Sequence, residues 1–178
     1  MKLNYSKLYN IFLPLWILLF WPSPLWLVII PLNYLIDRLV LCWSLKTLPE
    51  RGAFCRKHTW KIWLAGFLGD MAGAAIMFAI FMGSAFVSDD AAGGSWIENL
   101  AYGVGFNPFI HIGAFLLVAL AVFVAGVIIY FVDRAILKKA GLDLEQAKRS
   151  ALRLALITAP YLYFFPSSIL YDNGVFGI

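Results

Sequence analysis

Charge is what this sequence has least of. Of its 178 residues only 13% are Asp, Glu, Lys or Arg, while 62% are hydrophobic. Soluble domains carry about 25% charged residues. A water-soluble fold of this size cannot hide so much apolar surface, which argues against a soluble enzyme or binding module. The chain reads instead as one membrane-embedded domain over residues 1–178, with no room for a separate soluble domain. Four stretches have no formal charge at all: Leu8–Ile36, Met71–Ser88, Asn99–Val132 and Leu154–Tyr171. Lys and Arg are missing from the whole of Met71–Val132, whose middle connection carries only Asp89, Asp90 and Glu98. The fourteen basic residues lie before the first stretch, between the first two, or between the last two. Short Lys/Arg-rich loops stay cytoplasmic. The pattern therefore predicts a multi-pass protein of the cell membrane, with Lys46–Lys61 and Arg134–Arg153 cytoplasmic and Asp89–Glu98 outside.

Other absences narrow the chemistry. There is no phosphate-binding glycine loop, no H-E-x-x-H and no nucleophile elbow. Ser84, Ser88, Ser167 and Ser168 have no evident His–Asp set around them, and Gly93-Gly94 reads as a flexible loop. No catalytic residue, cofactor or metal is expected, and the chain reads as a non-enzyme. The net charge of +4 does not point to nucleic acid, because the basic residues sit in loops too short to form a groove. It would instead attract anionic lipid headgroups to the cytoplasmic face. Cys42 and Cys55 both fall at that reducing face, which argues against a disulfide. Their spacing fits no strong zinc pattern, with only His58 nearby in the basic loop and expected to be exposed.

What is present is helix-forming and apolar. From Leu8 to Trp43 the chain is too long for one straight span and is broken at Pro22-Ser23-Pro24. It reads as a helical hairpin over 3–21 and 25–43, or with a re-entrant first limb that leaves both ends cytoplasmic. No small-residue cleavage site follows the first limb, so it reads as a retained span rather than a signal peptide. Further spans are expected at 61–87, 108–131 and 154–171, with Trp96–Gly105 as a short interfacial helix. Gly141 is a helix stop, and Asp143–Arg153 an amphipathic lead into the last span. The fold class is thus an all-α polytopic membrane protein of about five transmembrane helices, amino terminus in and carboxyl terminus out. Trp21, Trp26 and Trp96 mark the outer boundary and Trp43, Trp60 and Trp63 the inner one; Trp16 fits neither. Ile36-Asp37-Arg38-Leu39-Val40-Leu41 faintly echoes Val132-Asp133-Arg134-Ala135-Ile136-Leu137, either as a structural repeat or because two descending helices each need a charged inner anchor.

Asp70 is the most informative residue. It lies nine residues beyond Lys61, about 13 Å along a helix and near the bilayer midplane. An aspartate there must face protein or water. Gly66, Gly69 and Gly73 share its side of the helix, and Gly69-x3-Gly73 is a small-residue packing motif that predicts a tight helix–helix contact. Asp37 sits six residues before Trp43, with Asn33 one turn further in on the same face. Asn33, Asp37 and Asp70 are therefore expected in one polar layer, a candidate proton or cation site, with Arg38 and Arg134 as possible charge partners. The plainer reading of the same residues is a buried Asp–Arg pair that only fixes packing. Pro31 and Pro160 each free a carbonyl four residues earlier, Leu27 and Leu156. Such carbonyls can ligate cations in broken helices, although a simple kink is commoner. His111 at the outer start of the fourth span reads as a wall residue or, with Asp89 or Asp90, a pH-sensitive contact.

Two functional classes follow. One is a transport or ion/proton permeation component with its polar site in the inner half of the bilayer. The other is a non-catalytic accessory or assembly subunit that binds a partner through its basic loops. Both imply the lipid bilayer as surroundings and a homo-oligomer or larger complex, since one small chain encloses at most a narrow site.

Overall fold

The computed structural model describes residues 15–20, 26–86 and 94–169. Among them every regular element is helical: α1 (Trp26–Ser44), α2 (Arg51–Ala85), α3 (Gly94–Gly105), α4 (Ile112–Lys139) and α5 (Leu144–Thr158). Short 3-10 turns occupy Leu15–Leu19, Pro108–Ile110 and Tyr161–Phe164. Three helices, α1, α2 and α4, are long and apolar enough to cross a membrane. The first limb expected at 3–21 contributes only the turn Leu15–Leu19. The rest of that limb, the Pro22-Ser23-Pro24 break, Asp89, Asp90 and the end of the chain lie outside the described residues.

The fifth expected span differs most from expectation. It does not form one helix over 154–171. α5 starts at Leu144, where the Asp143 carboxylate accepts from the Gln146 N–H at 2.9 Å, a conventional N-cap. It stops at Thr158, after fifteen residues in all, because Pro160 drives Ala159 into extended backbone (φ −55°, ψ 151°). The spans expected at 25–43 and 61–87 appear as α1, which starts one residue later at Trp26, and α2, which starts much earlier. α2 begins ten residues before Lys61, at Arg51, and reaches 35 residues. That is about 52 Å at helical rise, longer than a 30 Å hydrocarbon core. Consequently His58 is on a helix and buried, rather than exposed in a loop, and it packs on Phe54 at 4.5 Å between ring centroids. The turn between α1 and α2 is cut to residues 45–50. So short a link sets the end of α1 beside the start of α2. Cys42 and Cys55 are brought together there with Cα atoms 6.0 Å apart, within reach of a disulfide, where the sequence argued against one.

Four helices close a ring of contacts in the order α1, α2, α4, α5 and back to α1. Two apolar clusters fill the molecule. One, at the end where Lys and Arg gather, joins Leu41, Ile62, Leu137, Ala151 and Leu154 from all four helices. The other, toward the opposite end, joins Trp16, Met77, Val104, Val118 and Tyr163. Trp16 fits neither interfacial belt because it is a core residue, 3% exposed, with its indole N–H donating to the Val104 carbonyl at 3.2 Å. α3 packs on α2 and α4 at this far end. α4 opens with His111, whose Nδ1 accepts from the Gly113 N–H at 3.1 Å while its ring meets Trp96 edge-on at 5.7 Å. It closes before Gly141, whose φ of +99° suits a glycine past a helix end.

Candidate functional site

The site lies between the two apolar clusters. Along α1, Val40 and Leu41 belong to the cluster at the basic end, and Asp37 and Asn33 follow on the next turns. On α2 the order is Ile62, Gly66, Asp70, then Ala74 in the far cluster. On α4, Leu137 belongs to the basic-end cluster and Asp133 lies one turn away. On α5, Leu154 is followed one turn later by Thr158 at the helix end. Spacings of four residues keep each pair on one helix face, so all four helices deliver a polar side chain at the same level of the ring.

Asn33, Asp37, Gly66, Asp70 and Thr158 line one cavity of about 130 Å³, together with Trp63, Phe67 and Ile157. That is room for several waters. A second cavity of about 190 Å³ shares Asn33 and Asp70 and extends past Trp16, Trp26, Pro160 and Tyr163. Asn33 and Asp70 thus stand on the wall common to both. The expected polar layer of Asn33, Asp37 and Asp70 is brought together.

Asp133, which was not singled out from the sequence, lines neither cavity but lies within electrostatic reach of Asp37. It is fully buried, and neither carboxylate oxygen has a hydrogen-bond partner. One oxygen of Asp70 is likewise buried without a partner. Asp37, also buried, lies within electrostatic reach of both other acids, with Thr158 beside it in the cavity wall. The signal for Asp133 was the echo of Ile36-Asp37-Arg38 in Val132-Asp133-Arg134. The two halves of that echo place their aspartates in the same layer.

The expected charge partners are not there. Arg38 is exposed and Arg134 is half-buried. Among the described residues the only ion pair within 4.0 Å is Lys148–Glu145, on the surface of α5. Neither arginine pairs with Asp37, Asp70 or Asp133, because each follows its aspartate directly and so points about 100° away on the helix. Nor do the acids form a ligand cage: among the described residues no three His, Cys, Asp or Glu side chains converge on a metal-sized point.

The glycines divide between two jobs. A Cβ on Gly69 would meet Ile129 Cγ1 at 2.6 Å and the Ala125 carbonyl oxygen at 3.2 Å. On Gly73 it would meet the Ala121 carbonyl oxygen at 3.0 Å and Tyr163 at 3.2 Å. Both therefore set α2 against α4. Gly66 instead faces α1, where a Cβ would sit 3.8 Å from Asp37 Oδ2. Asp70 lies beside the tight seam, on the cavity, rather than within the seam as expected.

The break at Pro160 is satisfied locally. The Tyr161 hydroxyl donates to the Leu156 carbonyl at 2.6 Å, and the Thr158 hydroxyl to the Leu154 carbonyl at 2.9 Å. The Leu156 carbonyl, considered above as a cation ligand, is thereby engaged. Past the break, the Tyr163 hydroxyl donates to the backbone carbonyl of Asp70, tying the non-helical segment to the acid-bearing turn of α2. No protein-family model, curated protein or solved structure matches this chain.

Proposed function

We propose that this chain is a small transport component that passes protons through the carboxylate layer of Asp37, Asp70 and Asp133. The observation that supports this reading is the gathering of three acids from three helices with no basic residue paired to them. Burying carboxylates is costly unless positive charge accompanies them. A structural ion pair would supply it from Arg or Lys. Here the positive charge has to come from solution, as a proton or a small cation. The acids do not converge into a ligand set, which favours the proton over a tightly coordinated metal. The two cavities meeting at Asn33 and Asp70 offer space for the water that would carry protons to the layer, and helix breaks such as that at Pro160 are common beside transport sites.

On this reading the protein sits in the cell membrane with its basic end cytoplasmic, amino terminus inside and carboxyl terminus outside. The layer then falls in the inner half of the bilayer. The molecule works as a homo-oligomer or within a larger membrane complex, and it catalyses no covalent step.

Proton flux into vesicles tests the reading. The purified protein is reconstituted with a pH-sensitive dye trapped inside, and a potassium diffusion potential drives proton entry. Flux above that of protein-free vesicles is expected, with Asp70→Asn and Asp37→Asn both folded and both reduced to background. Full flux through a folded Asp70→Asn protein, or no flux above background in the unaltered protein, would sink it. The accessory-subunit reading would then take its place.

A further inference from the structure

A second polar region lies at the basic end, away from the carboxylate layer. It is a cavity of about 450 Å³ between the close of α1 (Trp43, Ser44), the turn at Lys46, Thr47 and Leu48, and the first turns of α5. Three cations line it: Lys46, Arg149 and Arg153. Two of them gather about one ring, with the Arg153 guanidinium 4.8 Å and the Lys46 ammonium 5.6 Å from the centroid of Trp43. Arg153 also donates to the Ser44 carbonyl at 3.5 Å. Two like charges held at one indole repel each other unless an anion lies between them.

The acids in the same wall are engaged elsewhere. Asp143 caps α5 through the Gln146 N–H, and Glu145 pairs with Lys148 at 2.8 Å. No carboxylate among the described residues lies within 4.0 Å of Lys46, Arg149 or Arg153. The Ser44 hydroxyl, in the wall of the cavity, is buried and has no hydrogen-bond partner. Three unpaired cations and an idle hydroxyl match the oxygen-rich, doubly accepting surface of a phosphate group. The source of that phosphate follows from position. Trp43 is half exposed at the end of a helix long and apolar enough to cross a membrane, the place of an interfacial anchor. Exposed Leu39 lies one turn from Trp43 and exposed Leu152 one turn from Arg149, on the sides of α1 and α5 that would meet acyl chains.

We infer that this cavity is a binding site for the headgroup phosphate of an anionic phospholipid, held by Lys46, Arg149, Arg153 and Ser44 beside the Trp43 ring. The inference does not depend on proton transport, and its readout is bound lipid rather than flux.

Native mass spectrometry of the full chain, extracted from vesicles of phosphatidylcholine with or without phosphatidylglycerol, tests it. Retained phosphatidylglycerol is expected, in preference to phosphatidylcholine. Lys46→Gln, Arg149→Gln and Arg153→Gln should each weaken retention about fivefold, the effect of one cation at an anionic surface. Arg149→Gln is the safest of these for folding, since Arg149 is exposed and has no ring contact. A control variant, Arg51→Gln with Lys138→Gln and Lys139→Gln, removes three charges, more than any of these single variants, from exposed positions outside the cavity and should retain lipid unchanged. Equal loss in this control would show diffuse attraction and overturn the site. Inorganic phosphate that binds the detergent-solubilised protein and expels the lipid at equal concentration would also overturn it, in favour of a soluble phosphate ligand.

Discussion

Two faces of α2, less than two turns apart, solve opposite problems with the same residue. At Gly69 and Gly73 the missing side chain lets α4 approach until its carbonyl oxygens stand 3.2 and 3.0 Å from where a Cβ would be. At Gly66 the missing side chain leaves space, and the nearest atom to a Cβ would be an Asp37 oxygen at 3.8 Å. The first face is a dry seam made of backbone and small side chains, the usual means of helix association in membranes. The second is a polar cavity bounded by α1, α2 and the end of α5. Asp70 stands at the line between them. A tight seam on one side fixes where the carboxylate sits, and the cavity on the other side leaves room for water beside it. Variants of the two faces should therefore fail in different ways.

The largest effect is expected in the seam. Gly73→Leu puts a branched side chain where even a Cβ is tight against the Ala121 backbone oxygen. Backbone cannot swing aside as a side chain can, so the cost should reach about 3 kcal/mol, the upper part of the usual overpacking range. The thermal midpoint of the detergent-solubilised protein measures it. An unchanged midpoint would mean that this face of α2 does not meet α4.

The next largest concerns Asp133, and its sign is the informative part. A buried acid without partner destabilises a fold, so Asp133→Asn should leave stability unchanged or raise it by about 1–2 kcal/mol. A loss of about 3–5 kcal/mol is what removal of one member of a buried ion pair gives. Chemical unfolding of both proteins in one detergent decides between them. The same variant should lose proton flux, so a gain in stability with a loss of activity is the expected combination.

How much of this was legible beforehand depends on the range of the signal. The polar layer of Asn33, Asp37 and Asp70 could be read because depth along a helix is local arithmetic and each charge interrupts a long apolar run. The glycine seam was legible in its residues but not in its partner: nothing in Gly69-x3-Gly73 says that α4, rather than the adjacent α1, lies across it. Asp133 was masked by Arg134 beside it, since an Asp-Arg pair near a helix end reads as an anchor. Only the ring of four helices shows that Asp133 turns inward while Arg134 does not pair with it. Pro160 was seen, yet its effect was misjudged. A kink and a stop have the same sequence, and the stop depends on Tyr161 being placed to satisfy the Leu156 carbonyl that Pro160 leaves free, while Tyr163 ties the segment beyond to Asp70 of α2. The early start of α2 was hidden for a similar reason, because Arg56, Lys57 and His58 look like loop residues until the helix is seen to run unbroken from Arg51.

A smaller effect is expected where the seam and the cavity are tied together. Tyr163→Phe removes the hydroxyl that donates to the Asp70 carbonyl and keeps the ring that packs against Gly73. One neutral hydrogen bond contributes about 1 kcal/mol net, and stability should fall by no more than that. The segment past Pro160 would lose its tether to α2, so hydrogen exchange at residues 161–165 should quicken while exchange within α4 stays the same. Faster exchange throughout α4 as well would show that the tyrosine supports the seam rather than the acid-bearing turn.

The smallest stability change is expected at Gly66, and it separates the two faces most sharply. Gly66→Ala adds one methyl group on the cavity side, where the nearest atom would be at ordinary van der Waals distance. Alanine also favours helix over glycine by about 0.5–1 kcal/mol, so the variant should be as stable as the parent or slightly more stable. The matching change at Gly73 sets a Cβ against the Ala121 carbonyl and Tyr163 together, and Gly73→Ala should lower the thermal midpoint. Function should show the reverse order. The Gly66 methyl takes up part of a cavity of only about 130 Å³ and sits directly against the Asp37 carboxylate. Water contact with that acid would shrink, and proton flux should fall in a protein that is otherwise sound. If Gly66→Ala instead destabilises the molecule as much as Gly73→Ala, the Asp37 side of α2 is packed as tightly as the α4 side. The distinction between a dry seam and a working cavity would then be lost.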